Sequence, residues 1–170
     1  HAAEPDETID PLITGAQLVQ AIQTISSRNL SALEKVVISI TQFHAGTTHN
    51  IIPNDAFING TVRTLSKEAQ FLIVKRLKEL CKGYSRGFGG KIKLDYNYGY
   101  PPTVNHQRET KFAAEVAREI VGVQNVEIDA EPIMASEDFS YMIEKRPGCY
   151  FHLGQGVGAP VHNPKYDFND

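Results

Sequence analysis

Three runs of two-residue alternation, separated by a run of helical period, constrain this chain more than any other feature. Val36, Ile38 and Ile40 alternate with Val37, Ser39 and Thr41; Ala56, Ile58, Gly60 and Val62 alternate with Phe57, Asn59, Thr61 and Arg63. The third run is the cleanest, with Ile92, Leu94, Tyr96 and Tyr98 against Lys91, Lys93, Asp95 and Asn97. Successive side chains of a strand point to opposite faces, so each run predicts a strand with one apolar face. Ahead of the first, Asp10-Pro11 reads as N-cap and first helical residue, and Leu18, Ala21, Ile22 and Ile25 recur at three-and-four spacing until Ser26–Asn29. Between the second and third, Ser66 caps a helix with Glu68 in its first turn. Ile73, Leu77, Leu80, Cys81 and Tyr84 form its stripe before Gly87 and Gly89 break it. The order helix, strand, strand, helix, strand, with both helices on one sheet face, predicts an α+β fold. It is a ferredoxin-like β-α-β-β-α-β unit lacking its first strand.

Pro101-Pro102 cannot continue a strand without losing backbone donors, which predicts a boundary between a domain at 1–102 and a second at 103–170. In the second, Asn105 is expected to cap a helix with Phe112, Ala113, Val116, Ala117 and Ile120 inward and Gly122 as its stop. A short strand is expected around 126–128 and a helix capped by Ser136 and ended by Pro147-Gly148. A strand over 149–153 and a loop carrying Gly154, Gly156 and Gly158 follow. So few residues form a thin core, which reads as part of a larger α/β domain. The 170 residues begin with His1 instead of Met, and the chain is expected to be a piece of something longer. Seventeen Lys and Arg against 20 Asp and Glu give a net charge of −3, which argues against a nucleic-acid partner. No apolar run approaches the roughly 20 residues of a membrane span, and no signal segment opens the chain. Two cysteines, Cys81 and Cys149, have no metal-site spacing and are too few for a disulfide framework, so a reducing cytoplasm is expected.

Of six histidines, none lies in an H-E-x-x-H motif or at helical spacing from another, and no CxxC pair occurs, so a complete metal site is not encoded here. His162, between a glycine-rich loop and Asn163-Pro164, suits a ligand held in a fixed direction, and equally an ordinary turn. Asn50, ahead of Ile51-Ile52-Pro53, offers an amide that could hold a carbonyl oxygen or an oxyanion, or close an Asx-turn. Arg63 shares its strand face with Asn59 and Thr61. A guanidinium there could clamp a carboxylate bidentately or simply be solvated. Ser136-Glu137-Asp138 places a cap and two carboxylates at a helix N-terminus, which the helix dipole explains without function.

Taken together, four ordered segments resemble the co-catalytic metal amidohydrolases and peptidases that include hippurate hydrolase, N-acyl-amino-acid amidohydrolase and auxin-conjugate hydrolases. They are His1-Ala2-Ala3-Glu4-Pro5 with Ile9-Asp10-Pro11; Asn50-Ile51-Ile52-Pro53 with Gly60-Thr61-Val62-Arg63; Met134-Ala135-Ser136-Glu137-Asp138-Phe139-Ser140; and His162-Asn163-Pro164 through Asn169-Asp170. The resemblance implies a ferredoxin-like lid that also forms a homodimer, followed by the end of a metal-bearing catalytic domain. It implies that His1 reaches into the partner's active site to hydrogen-bond the scissile carbonyl oxygen. Asn50 would make a second polar contact to substrate, and Arg63 would meet the substrate carboxylate. Ser136 and Glu137 would line the same cleft, and His162 would be the last metal ligand.

The implied activity is metal-dependent hydrolysis of the amide bond of an N-acyl amino acid or small peptide-like substrate. Two divalent ions, zinc or manganese, would serve the full-length enzyme and none would bind this piece, which alone would be inactive. The chain departs from the family pattern at Asp6, where a second histidine is usual, at Ala135 in place of glycine, and at His49 in place of an aromatic. The segments carrying the other metal ligands and the general base are absent from it. A competing expectation, from a different class, is a self-standing ferredoxin-like dimerisation module without catalysis, paired through an exposed edge at 36–43.

Overall fold

A computed structural model describes residues 1–168; Asn169 and Asp170, the end of the fourth segment above, lie outside the described residues. Two compact units are present, one of His1–Pro102 with Pro132–Ser136, the other of Thr103–Glu131 with the residues from Glu137 onward.

In the first unit, helix α1 (Pro11–Thr24) starts where local chemistry dictates: Asp10 accepts hydrogen bonds from the backbone N–H groups of Leu12 at 2.8 Å and Ile13 at 3.3 Å, with Pro11 in the first turn. That satisfies donors a helix start otherwise leaves open. A single wide turn, Ile25–Asn29, ends it. Strands β1 (Val36–Ala45) and β2 (Ala56–Thr64) pair antiparallel from Val36 opposite Thr64 to Ala45 opposite Ala56, with a bulge between Ile40 and Gln42. The bulge lets β1 keep both faces in register: Ile38 and Ile40 face the helices before it, and Phe43, opposite Ile58, does so after it. Gly15 of α1 has no side chain because the Phe43 ring occupies that space; a Cβ there would meet ring atoms at 2.8 and 3.0 Å. Helix α2 (Lys67–Phe88) is capped by Ser66, whose oxygen accepts the Ala69 N–H at 3.1 Å, and it closes on Gly89 at φ 79°, a left-handed conformation costly for other residues.

The core of this unit is Leu18, Ile22, Ile25, Ile38, Ile73, Leu77 and Cys81, with Ile58, Val62, Leu80 and Tyr84 packed against it. Both helical stripes and both strand faces read from the sequence meet there. The third expected strand does not form: residues 91–98 pair with no strand among the described residues, and the sheet has two strands. Their alternation survives as burial, since Ile92, Leu94 and Tyr96 pack against the core while Lys91, Lys93, Asp95 and Asn97 are exposed. A ladder needs a neighbour supplying donors and acceptors at matching spacing, and none is in place. Tyr98 is the exception to the pattern, 65% exposed and meeting Tyr96 edge-on at 5.0 Å.

The second unit holds α3 (Gln107–Val121) and α4 (Phe139–Ile143). It departs further from expectation. Asn105 does not cap α3; His106 occupies the cap position without a side-chain bond, and the Asn105 amide is spent on the backbone of Tyr150. Ser136 likewise caps nothing, because α4 begins only at Phe139. On α3 the inward side is Ala114, with Ala113 and Ala117 half-buried, whereas Phe112, Val116 and Ile120 are exposed. The small residues allow close packing and leave the large residues, four apart, on the adjoining outward side. No strand forms over 126–128 or 149–153. Cys81 is buried and Cys149 half-buried, both as free thiols. Among the described residues no helix is long and apolar enough to cross a membrane.

Candidate functional site

Arg63 sits where the alternation puts it, on the outward face of β2 with Thr61, Asn59 and Phe57, across from Val37, Ser39, Gln42 and His44 of β1. Asn59 donates to the Gln42 side-chain oxygen at 3.0 Å, and His44 stacks on Phe57 with ring centroids 6.3 Å apart. Arg63 is half-buried and has no carboxylate partner among the described residues, so its guanidinium keeps its full set of donors. A planar cation on a polar, non-acidic face is suited to a carboxylate.

His1 and Asn50, far apart in sequence, are brought together by the backbone: the Ala2 N–H donates to the Asn50 carbonyl at 3.0 Å. Each side chain has its acceptor occupied from within its own segment. The Ala3 N–H donates to His1 Nδ1 at 3.1 Å, and the Thr48 hydroxyl donates to Asn50 Oδ1 at 3.1 Å. An Nδ1 that accepts carries no proton, so in the neutral ring Nε2 holds it and donates. Asn50 retains both Nδ2 hydrogens, which have no partner among the described residues. What these two segments offer a ligand is donors, the complement of a carbonyl oxygen or an oxyanion.

In the second unit, Glu137 is engaged: its carboxylate accepts the Tyr150 hydroxyl at 2.8 Å and the Phe139 N–H at 3.4 Å. The Tyr150 hydroxyl, and next the Phe139 N–H, hold the Glu137 carboxyl below its ordinary value, and the same bond raises the Tyr150 phenol. A carboxyl with a lowered pKa contributes stability above its unfolded value of 4.5, lost as pH falls through the lower folded value. A phenol with a raised pKa contributes below 10.0, and that is lost as pH rises through the higher folded value. Tyr150→Phe should therefore move the Glu137 titration up toward 4.5. A carbon-13 carboxyl titration checks this, and an unmoved midpoint would show that the hydroxyl is not the cause. Ser136 is exposed, with no partner among the described residues.

His162 is exposed and has φ 70°, the one non-glycine residue with positive φ among those described. That conformation is uncommon for a histidine and clusters at functional positions. The described residues contain no group of three or more His, Cys, Asp or Glu able to hold a metal ion. A hydrolytic metal needs about three protein ligands, so this chain's described residues do not fit a metal centre, and His162 is at most one contributor to it. Sequence reading passed over Thr48 and Tyr150. Thr48 carried a local signal, a hydroxyl two residues from Asn50; Tyr150 carried none, because its contact with Glu137 spans 13 residues.

Residues 3–170 match the family described as Peptidase family M20/M25/M40. The chain is 39% identical to the N-acetyldiaminopimelate deacetylase of Streptococcus sanguinis strain SK36 over 97% of its own length and 44% of that protein. It is 36% identical to the hippurate hydrolase of Campylobacter jejuni over its whole length, again 44% of the relative. Among solved structures it resembles the YXEP protein of Bacillus subtilis, described as a dinuclear metal binding peptidase from the M20 family, with a TM-score of 0.75 at 28% identity over 96% of this chain and 42% of that one. The chain thus spans under half the length of these relatives.

Proposed function

The chain belongs to peptidase family M20/M25/M40, and on that premise we propose that it is part of a metal-dependent enzyme that hydrolyses the amide bond of N-acyl amino acids or small peptide-like substrates, of the hippurate type. The observation that carries this reading is the pairing of His1 and Asn50 as donors, each with its acceptor already engaged, together with an Arg63 that has no carboxylate partner among the described residues on a polar strand face. An N-acyl amino acid presents the two groups these residues are built for, an amide carbonyl and a free carboxylate.

In this reading Arg63 holds the carboxylate in a bidentate bond and Asn50 donates to the substrate. His1 donates from Nε2 to the scissile carbonyl oxygen of the partner subunit's substrate as negative charge develops on it. Ser136 and Glu137 contact substrate, and His162 supplies one ligand to a pair of divalent ions, zinc or manganese, whose remaining ligands and the general base lie outside this chain. Residues 1–102 act as the lid and dimerisation domain and 103–170 as the end of the catalytic domain, in a cytoplasmic homodimer. Support for the lid is the alternation at 91–98, which packs as a fourth ferredoxin-like strand would but finds no ladder partner. Support for the dimer is β1, which among the described residues pairs with β2 alone and keeps its other edge open.

The test is release of free amino acid from hippurate and a panel of N-acetyl amino acids by the full-length enzyme with zinc or manganese supplied, beside the 170-residue chain. Hydrolysis by the full-length enzyme alone, abolished by a chelator, is the expected result. A full-length enzyme inert on every acyl amino acid would overturn the proposal.

A further inference from the structure

We propose that Asn105 is a positioning residue: by pairing its side-chain amide with the backbone of Tyr150, it holds the Tyr150 hydroxyl on Glu137 and so fixes the direction of that carboxylate. The inference rests on the reading above, that Glu137 contacts substrate.

Asn105 lies just ahead of α3 and meets a residue 45 positions away in sequence. Its Nδ2 donates to the Tyr150 carbonyl at 2.7 Å, and its Oδ1 accepts the Tyr150 N–H at 2.8 Å. A backbone N–H only donates and a backbone carbonyl only accepts, so a single orientation of the amide satisfies both; turned over, it would set donor against donor and acceptor against acceptor. His106 continues the seam, its N–H donating to the Gly148 carbonyl at 3.1 Å and its Nδ1 accepting the Gly148 N–H at 3.2 Å. These four hydrogen bonds do for 148–150 what a neighbouring strand would do. They hold the backbone from which the Tyr150 ring projects. That ring packs on Phe139 with centroids 5.6 Å apart and meets His152 at right angles at 5.2 Å. At its tip the hydroxyl lies 2.8 Å from Glu137 Oε2 and donates, because an ionised carboxylate only accepts. Glu137 Oε1 takes the Phe139 N–H at 3.4 Å, a long bond, so the Tyr150 hydroxyl is the closer of the two groups that aim the carboxylate. All of these residues belong to the second unit.

The first arm of the test needs no substitution. In the 170-residue chain the Tyr150 N–H, taken by Asn105, should exchange with solvent about tenfold more slowly than the Phe151 N–H, which has no partner among the described residues. Equal exchange overturns the inference even if every Asn105 variant fails to fold. In the second arm, Asn105→Ala should release the Tyr150 N–H and raise the Glu137 carboxyl midpoint toward 4.5 as far as Tyr150→Phe does, with no further rise in the double variant. Asn105→Gln, which keeps the amide on a longer stem, should recover part of the shift. In the full-length enzyme, Asn105→Ala and Tyr150→Phe should each lower kcat/KM about three- to tenfold, the scale of one hydrogen bond, and the double variant should be no slower than either. A Glu137 midpoint that ignores Asn105→Ala while answering to Tyr150→Phe overturns the inference. So do losses in kcat/KM that multiply in the double variant, since Asn105 would then act by another route. If the full-length enzyme hydrolyses no acyl amino acid, the functional reading fails, and the exchange and titration data alone then decide whether Asn105 positions Tyr150 on Glu137.

Discussion

Truncating Ile73 to Ala should cost the first unit about 2–5 kcal/mol of unfolding free energy, the range for buried Ile or Leu cut back to Ala. Ile73 and Ile25 are the two fully buried apolar side chains among the described residues, and Ile73 lies in the cluster with Leu18, Ile22, Ile38 and Leu77. That cluster joins side chains of three elements, α1, β1 and α2. Removing the three outer carbons of Ile73 loses transfer free energy and leaves a hole that rigid neighbours on a helix and a strand fill poorly. A domain of this size has a total stability of about 5–15 kcal/mol, so the loss is a large share of it. Urea unfolding, followed by a probe in the first unit, should show a much lower midpoint with a similar slope. Phe71→Ala on the same helix is the control: its ring is 73% exposed, and its removal should move stability by no more than about 0.5 kcal/mol. A shift for Ile73→Ala as small as that of the control would mean the core is not where the packing places it.

The contrast between Ile73 and Phe112 shows what a sequence of this kind reveals. Helix starts at Asp10 and Ser66, the stripe of α2 and the faces of β1 and β2 were legible, because capping and period are settled within a few residues. Residues 91–98 were half legible. Their alternation gave the buried face correctly for Ile92, Leu94 and Tyr96, but pairing depends on a neighbour that alternation cannot supply. On α3 the expected inward stripe joined Phe112, Val116 and Ile120 to Ala113 and Ala117; the two alanines are half-buried, and the three large residues are exposed. Period groups the residues of a broad stripe without saying which edge of it meets a neighbour. The same division runs through the candidate site. The face of Arg63 followed from strand parity, whereas the approach of His1 to Asn50 and the Tyr150 bond to Glu137 depend on loop paths that no local pattern encodes.

Under the proposed function, Arg63→Ala should raise KM for N-acyl amino acids roughly 10- to 100-fold in the full-length enzyme, the equivalent of about 1.5–3 kcal/mol for a hydrogen bond to a charged group. Arg63 has no carboxylate partner among the described residues. A guanidinium committed to a structural ion pair would have little left for a ligand, and its loss would appear as instability. Arg63 instead lies on the outward face of β2, so the Ala variant should unfold within about 0.5 kcal/mol of the parent. The discriminating comparison is between a substrate and the same substrate with its carboxylate capped as a methyl amide. Only the free acid offers the bidentate partner, so Arg63→Ala should penalise it and leave the capped compound nearly untouched, collapsing the preference between them. Arg63→Lys keeps the charge but loses the planar fork, and should recover only part of the affinity. If Arg63→Ala slows both compounds alike, the guanidinium is not reading the carboxylate, and the polar face of β2 has some other use.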